Sequence, residues 1–174
     1  INSGPKASQL LRELVRLTGF PVTSTLMGLG AFPASGKEWL GMLGMHGTYE
    51  ANLAMHDCDV MLCIGARFDD RITGRVDQFS PRSHKIHIDI DPSSINKNVK
   101  VHVPIIGDVA YVLEELIRTW KAKAATVDKT TLKSWWAQID KWRAKKCLSY
   151  KKLDDVIMPQ YAIQRLYELT KDRD

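Results

Sequence analysis

Val60-Met61-Leu62-Cys63-Ile64-Gly65 is an unbroken apolar run stopped by glycine, and further on His84-Lys85-Ile86-His87-Ile88-Asp89-Ile90-Asp91 alternates polar with apolar before Pro92. The first pattern suits a parallel strand covered on both faces, and the second a strand that turns one face to a core. Residues 101–106 make a third short strand that ends at Gly107-Asp108. Asp108 is a good N-cap for the clearest helix in the chain, whose apolar stripe is Val109, Val112, Leu113, Leu116, Ile117 and Trp120.

Upstream, Leu10, Leu11, Leu14, Val15 and Thr18 recur at helical spacing after Pro5, with Gly19 placed as a C-terminal cap. Phe20-Pro21-Val22-Thr23-Ser24-Thr25-Leu26 reads as a strand, residues 28–47 are glycine-rich, and a helix fits residues 48–56. Downstream, a helix over residues 131–147 would bury Leu132, Trp135, Trp136, Ile139 and Trp142. Strands alternating with helices predict an α/β fold, doubly wound, with a mainly parallel sheet and helices on both faces. Residues 1–150 are expected to form this domain. Residues 151–174 read as a linker followed by the first helix of a further domain, because Pro159 opens an amphipathic stretch with little left to pack against.

The composition, 44% hydrophobic and 26% charged over 174 residues, is that of a globular domain with room for a core. No apolar run reaches the roughly 20 residues of a membrane helix, and the start of the chain lacks the order of a signal peptide. Three cysteines without metal-like spacing point to a reducing compartment, the bacterial cytoplasm or an organelle matrix. The net charge of +5 comes from lysines and arginines concentrated late in the chain, without an aromatic–glycine RNA signature. A solvated helix face explains them, and nucleic acid is not expected as a partner. The five histidines show no H-x-x-x-H spacing, so no metal site is expected, and there is no nucleophile elbow or P-loop.

Ligands of open parallel sheets bind beyond the carboxyl ends of the strands, and the unusual residues of this chain stand there. Thr25-Leu26-Met27-Gly28-Leu29-Gly30 follows the first strand, Gly65-Ala66-Arg67-Phe68-Asp69-Asp70-Arg71 the apolar one, and Asp89-Ile90-Asp91 and Gly107-Asp108 the last two. Glycine lets a ligand approach the backbone, arginine binds phosphate oxygens in a fork, and an acid at a strand end can accept from a ribose, a role open to Asp89 or Asp108. Together they describe a dinucleotide site. Gly28-x-Gly30-x-x-Pro33 departs from the usual glycine fingerprint, with proline at its third glycine.

Gly41-Met42-Leu43-Gly44-Met45-His46-Gly47-Thr48 and Gly65-Ala66-Arg67-Phe68-Asp69-Asp70-Arg71-Ile72-Thr73-Gly74 resemble the acetolactate (acetohydroxyacid) synthase large-subunit family. Thr25 to Pro33 and His87-Ile88-Asp89-Ile90-Asp91-Pro92 are similar to the same family. The resemblance covers essentially the whole chain. It implies the central, FAD-binding domain of a thiamine-diphosphate-dependent carboligase that joins pyruvate, after loss of CO2, to a second 2-keto acid in branched-chain amino-acid biosynthesis.

The resemblance places FAD contacts at Thr25, Leu26, Met27, Leu43, Gly44, Met45 and His46, and at Gly65, Ala66, Arg67, Asp69, Arg71 and Ile72. It places Asp89, Ile90, Gly107, Asp108 and Val109 around the adenosine, and Met45, Asp70 and Arg71 along a substrate and inhibitor channel. No catalytic residue is expected in this chain. Thiamine diphosphate and Mg2+ would bind elsewhere in the parent, because no Gly-Asp-Gly segment with a downstream asparagine appears here, and this chain alone is expected to be inactive. The partners implied are flanking domains, further copies of the parent and a regulatory small subunit. Two other readings stay open on the residues alone: the middle domain of a flavin-dependent pyruvate oxidase, and a freestanding NAD-binding or interaction domain.

Overall fold

A computed structural model of the chain describes residues 4–153 and 155–171. The readings that fall on Ile1, Asn2, Ser3, Asp154 and residues 172–174 lie outside the described residues. Helix α1 is Pro5–Thr18, opened by a proline in its first turn and closed by Gly19 in the left-handed conformation, whose N–H bonds the carbonyl of Val15. Strands β1 (Val22–Ser24) and β2 (Trp39–Met42), helix α2 (Tyr49–Asp57) and strand β3 (Val60–Ile64) follow. Then come the short helix α3 (Asp70–Thr73), strands β4 (His84–Asp89) and β5 (Val103–Ile106), and helices α4 (Val109–Ala122), α5 (Lys129–Arg143) and α6 (Pro159–Thr170).

The strands are parallel throughout, but they form two sheets rather than one: β1 pairs with β2, and β3, β4 and β5 pair in that order. Strand β2 and helix α3 were not expected. β2 lies inside the glycine-rich stretch with Gly41 in its middle, so neither alternation nor β-branching marks it; pairing with β1 makes it a strand.

Alternation sorts the side chains between two layers. Ile88, fully buried, and Leu62, Ile64 and Ile105 face α1 and α4, as do Val22 and Trp39 of the other sheet. One helix layer thereby spans both sheets. Lys6–Glu114 at 2.7 Å and Glu13–Lys121 at 2.6 Å cross between α1 and α4; exposed pairs like these add about 0.2–1 kcal/mol each at most. On the opposite face Leu40 packs with Ala51 and Ala54 of α2 and with Ile139 and Trp142 of α5. Arg143 fixes α5 there by donating to the carbonyls of Lys37 and Trp39, both at 2.8 Å.

Strand β4 carries Lys85, His87 and Asp89 on the face away from α4. Lys85 is buried and donates to the carbonyls of Ser80 and Ser83. His87 lies against Phe68, with ring centroids 5.0 Å apart. Helix α6 has no buried residue and leaves Ile163, Leu166 and Tyr167 exposed.

Candidate functional site

Every strand delivers a loop at its carboxyl end, and hydrogen bonds join these loops into one edge. Thr25 caps a 3-10 turn over Leu26–Gly28 by accepting from Gly28 N–H at 3.1 Å. The turn leaves the Leu26 and Met27 side chains in solvent, Met27 at 86% exposure. Ser24 accepts from the N–H of Leu43 at 3.2 Å, which brings the start of the next loop alongside.

That next loop, residues 43–48, is held tightly. Gly44 has φ +94, and a Cβ there would stand 2.6 Å from the carbonyl oxygen of Arg71. The Met45 N–H donates to that same oxygen at 2.8 Å. Thr48 closes the loop: its hydroxyl donates to Leu40 O at 2.6 Å and accepts from Ala51 N–H at the start of α2. The glycine loop after β2 and the arginine loop after β3 are therefore in direct backbone contact across the two sheets.

In the arginine loop, Gly65 N–H donates to Ile88 O at 2.8 Å, and Phe68 turns the chain with φ +56, an uncommon conformation for a bulky residue. Asn98 donates to the carbonyls of Arg67 and Phe68 at 3.2 and 3.1 Å. Asp69 begins α3, and its backbone oxygen takes the N–H groups of Ile72 and Thr73. Arg67 puts both Nε and Nη2 on Asp69 Oδ2, the shorter contact 2.6 Å, and this pairing raises its pKa above the usual arginine value. Arg71 meets Asp70 at 3.2 Å. Both arginine side chains are largely in solvent, 71% and 70% exposed, and so are open to an anion.

The strand ends of β4 and β5 complete the edge. Gly107 N–H donates to Asp89 O at 3.0 Å, and Asp89 Oδ1 accepts from Asp91 N–H. Asp108 is the N-cap of α4, its Oδ1 accepting from Ala110 and Tyr111. The Val109 side chain belongs to the core, so only its backbone can face a ligand. Ile90 stands 69% exposed. Among the site residues named from the sequence, the structure thus ties Leu43–Gly44–Met45 to Arg71–Ile72, and Gly107 to Asp89, with Gly65 held to the neighbouring Ile88. Thr25–Met27 joins the first group through Leu43, and His46 is exposed beside Met45. A cleft of about 460 Å3 separates Gly4, Pro5 and Ser8 at the start of α1 from the turn at residues 27–31. A second, of about 380 Å3, lies between the linker and α6 and holds none of these residues.

Sequence reasoning missed the two asparagines that shape the edge, Asn52 and Asn98. Asn52 accepts from Gly44 N–H at 2.8 Å and donates to Gly44 O at 3.0 Å. His87 on the same strand as Asp89 is a packed histidine: it is fully buried, and neither ring nitrogen has a hydrogen-bond partner, the nearest charge being Asp89 Oδ2 at 3.7 Å. Among the described residues, no group of three or more His, Cys, Asp or Glu could hold a metal ion, and no helix is long and apolar enough to cross a membrane.

Residues 2–116 match the family of thiamine pyrophosphate enzyme central domains. Over 166 residues, 95% of this chain, the sequence is 48% identical to the acetolactate synthase large subunit of Haemophilus influenzae, of which it covers 29%. It is 47% identical over 163 residues to the acetolactate synthase isozyme 3 large subunit of Escherichia coli, covering 94% of this chain and 28% of that protein. With chloroplastic acetolactate synthase 1 of Nicotiana tabacum the identity is 45% over 165 residues, 95% of this chain and 25% of the relative. The chain therefore spans between a quarter and three-tenths of the length of these relatives.

Proposed function

This chain belongs to the family of thiamine pyrophosphate enzyme central domains, and from that premise we propose that it is the FAD-binding middle segment of an acetolactate synthase large subunit. The observation that carries the reading is the joined strand-end edge: two exposed arginines stand among exposed apolar side chains, and glycine loops are fixed against each other. Apolar side chains as open as Leu26 at 68% and Met45 at 66% are what a planar, largely apolar ring system would cover.

The residues present fit a flavin dinucleotide. Arg67 and Arg71 would hold the diphosphate, each trading part of its contact with Asp69 or Asp70 for phosphate oxygens. Thr25, Leu26, Met27 and the loop at residues 43–46 would wall the ring system and present backbone N–H groups to it. Gly65, Ala66 and Ile72 would add contacts along the arginine loop, and Asp89, Ile90, Gly107, Asp108 and the backbone of Val109 would surround the adenosine. A ribose hydroxyl would donate to a strand-end carboxylate, that of Asp89 or Asp108. Met45, Asp70 and Arg71 would also border the substrate channel. The flavin supplies an ordered platform rather than electrons in this reading.

In the parent, decarboxylation of pyruvate and its joining to a second 2-keto acid would proceed on thiamine diphosphate and Mg2+ held outside this chain. Homo-oligomerisation, a regulatory small subunit and a cytoplasmic or organelle-matrix location belong to the same proposal. The test is an FAD titration of the purified chain followed by its intrinsic tryptophan fluorescence, with NAD as competitor. Saturable binding of FAD that NAD displaces only weakly supports the reading. Tighter binding of NAD than of FAD sinks it in favour of a nicotinamide module.

A further inference from the structure

We infer that Asn52 is the positioning residue of this site: its carboxamide locks the peptide at Gly44 and, through it, the junction of the glycine and arginine loops. The inference rests on the flavin reading above. Asn52 sits in the second turn of a helix whose own start is already capped by Thr48, and whose packing is carried by Ala51 and Ala54. The helix gains nothing from an asparagine there, since this residue type has low helix propensity.

What the side chain does is close on one glycine from both sides. Oδ1 accepts from Gly44 N–H at 2.8 Å, and Nδ2 donates to Gly44 O at 3.0 Å. Only one orientation of the carboxamide satisfies both groups, because an N–H must donate and a carbonyl must accept. The peptide planes on either side of Gly44 are thereby fixed at φ +94, a conformation in which this backbone lies flush against Arg71. The Gly44 carbonyl and the Met45 N–H belong to the same peptide unit. Turning that plane would break the Met45-to-Arg71 bond of 2.8 Å and let the two loops part. Asn52 touches no ligand in this account; it acts through Gly44.

The isosteric change Asn52→Asp supplies a test that a merely structural role would not pass. At neutral pH the carboxylate turns an oxygen, instead of an N–H, toward the Gly44 carbonyl. Acceptor faces acceptor, which breaks the clasp and favours the protonated acid, raising the aspartate pKa above its ordinary value of about 3.9. Once protonated, the acid donates to Gly44 O and accepts from Gly44 N–H, as the amide did. FAD affinity of Asn52→Asp should therefore be about ten-fold or more below wild type at pH 7.5 and recover to within about three-fold of it at pH 5. Asn52→Ala, which introduces no charge to impede folding, should be weakened equally at both pH values.

Equal affinity of Asn52→Asp and wild type at pH 7.5, or an Asn52→Asp that follows Asn52→Ala at both pH values, overturns the inference. Wild type that binds no FAD overturns the flavin reading instead. The Asn52 clasp is then judged by hydrogen exchange of the Met45 amide, which Asn52→Ala must speed about ten-fold; unchanged exchange overturns the clasp.

Discussion

The backbone N–H of Met45 meets the carbonyl oxygen of Arg71 at 2.8 Å, and this bond fastens a loop of the two-stranded sheet to a loop of the three-stranded one. It forms because Gly44 has no side chain: a Cβ would stand 2.6 Å from that same oxygen. Gly44→Ala should therefore cost about 2 kcal/mol or more, from strain at positive φ and from forcing the loops apart. Gly30→Ala is the matched control, with φ +89 but nothing within 4 Å of the added carbon. It should cost only the backbone strain, about 1 kcal/mol. Urea unfolding midpoints of the two variants decide the matter, and equal losses would show that the approach to Arg71 adds nothing.

Phe68 holds φ +56 while its ring is buried between Phe79 and His87. Asn98 maintains that turn by donating to the carbonyls of Arg67 and Phe68. Asn98→Ala leaves both oxygens to water and should cost about 1 kcal/mol. Because the freed turn carries Arg67, FAD affinity should fall about five-fold as well. A variant that loses stability but keeps full affinity would confine Asn98 to holding the loop, with no influence on where Arg67 points.

Burial holds the His87 imidazole below its ordinary pKa, and the nearby Asp89 carboxylate only partly offsets this. Unfolded chain takes up a proton at this residue near pH 6.5, where the native ring is still neutral. The unfolded state thus binds more protons, so stability falls as pH drops below about 6.5 and levels off once the native ring is protonated as well. His87→Gln should flatten that part of the stability–pH curve relative to wild type. Curves of the same slope between pH 7 and 5 would mean that His87 contributes nothing to acid sensitivity.

Periodicity revealed the elements that bury a continuous stripe. Leu11, Leu14 and Val15 in α1, and Val112, Leu113 and Ile117 in α4, are where spacing placed them. Strand β2 was invisible because Trp39-Leu40-Gly41-Met42 owes its extended form to β1 and not to its own residues. The division into two sheets was invisible for a related reason: strand order is a long-range property that no local pattern encodes. At the site, arginines and glycines were legible by their chemistry at strand ends. Asn52 and Asn98 were not, since a side chain that bonds distant backbone looks like any surface asparagine until the loops are brought together.

Arg67 gives both Nε and Nη2 to Asp69 Oδ2 while 71% of its side chain is in solvent. A diphosphate arriving at this edge must compete with that carboxylate, so the arginine's net contribution is less than a free guanidinium would make. Arg67→Ala should weaken FAD binding by about ten-fold rather than a hundred-fold. Arg67→Lys keeps the charge but loses the fork, and should recover only part of the loss. Asp69→Asn removes the competitor and should tighten binding, provided α3 still starts there, which the backbone carbonyl of Asp69 secures. Titration of the three variants at low and moderate salt separates the cases. If Arg67→Ala leaves the affinity unchanged, the diphosphate does not meet Arg67, and the anion-binding role passes to Arg71.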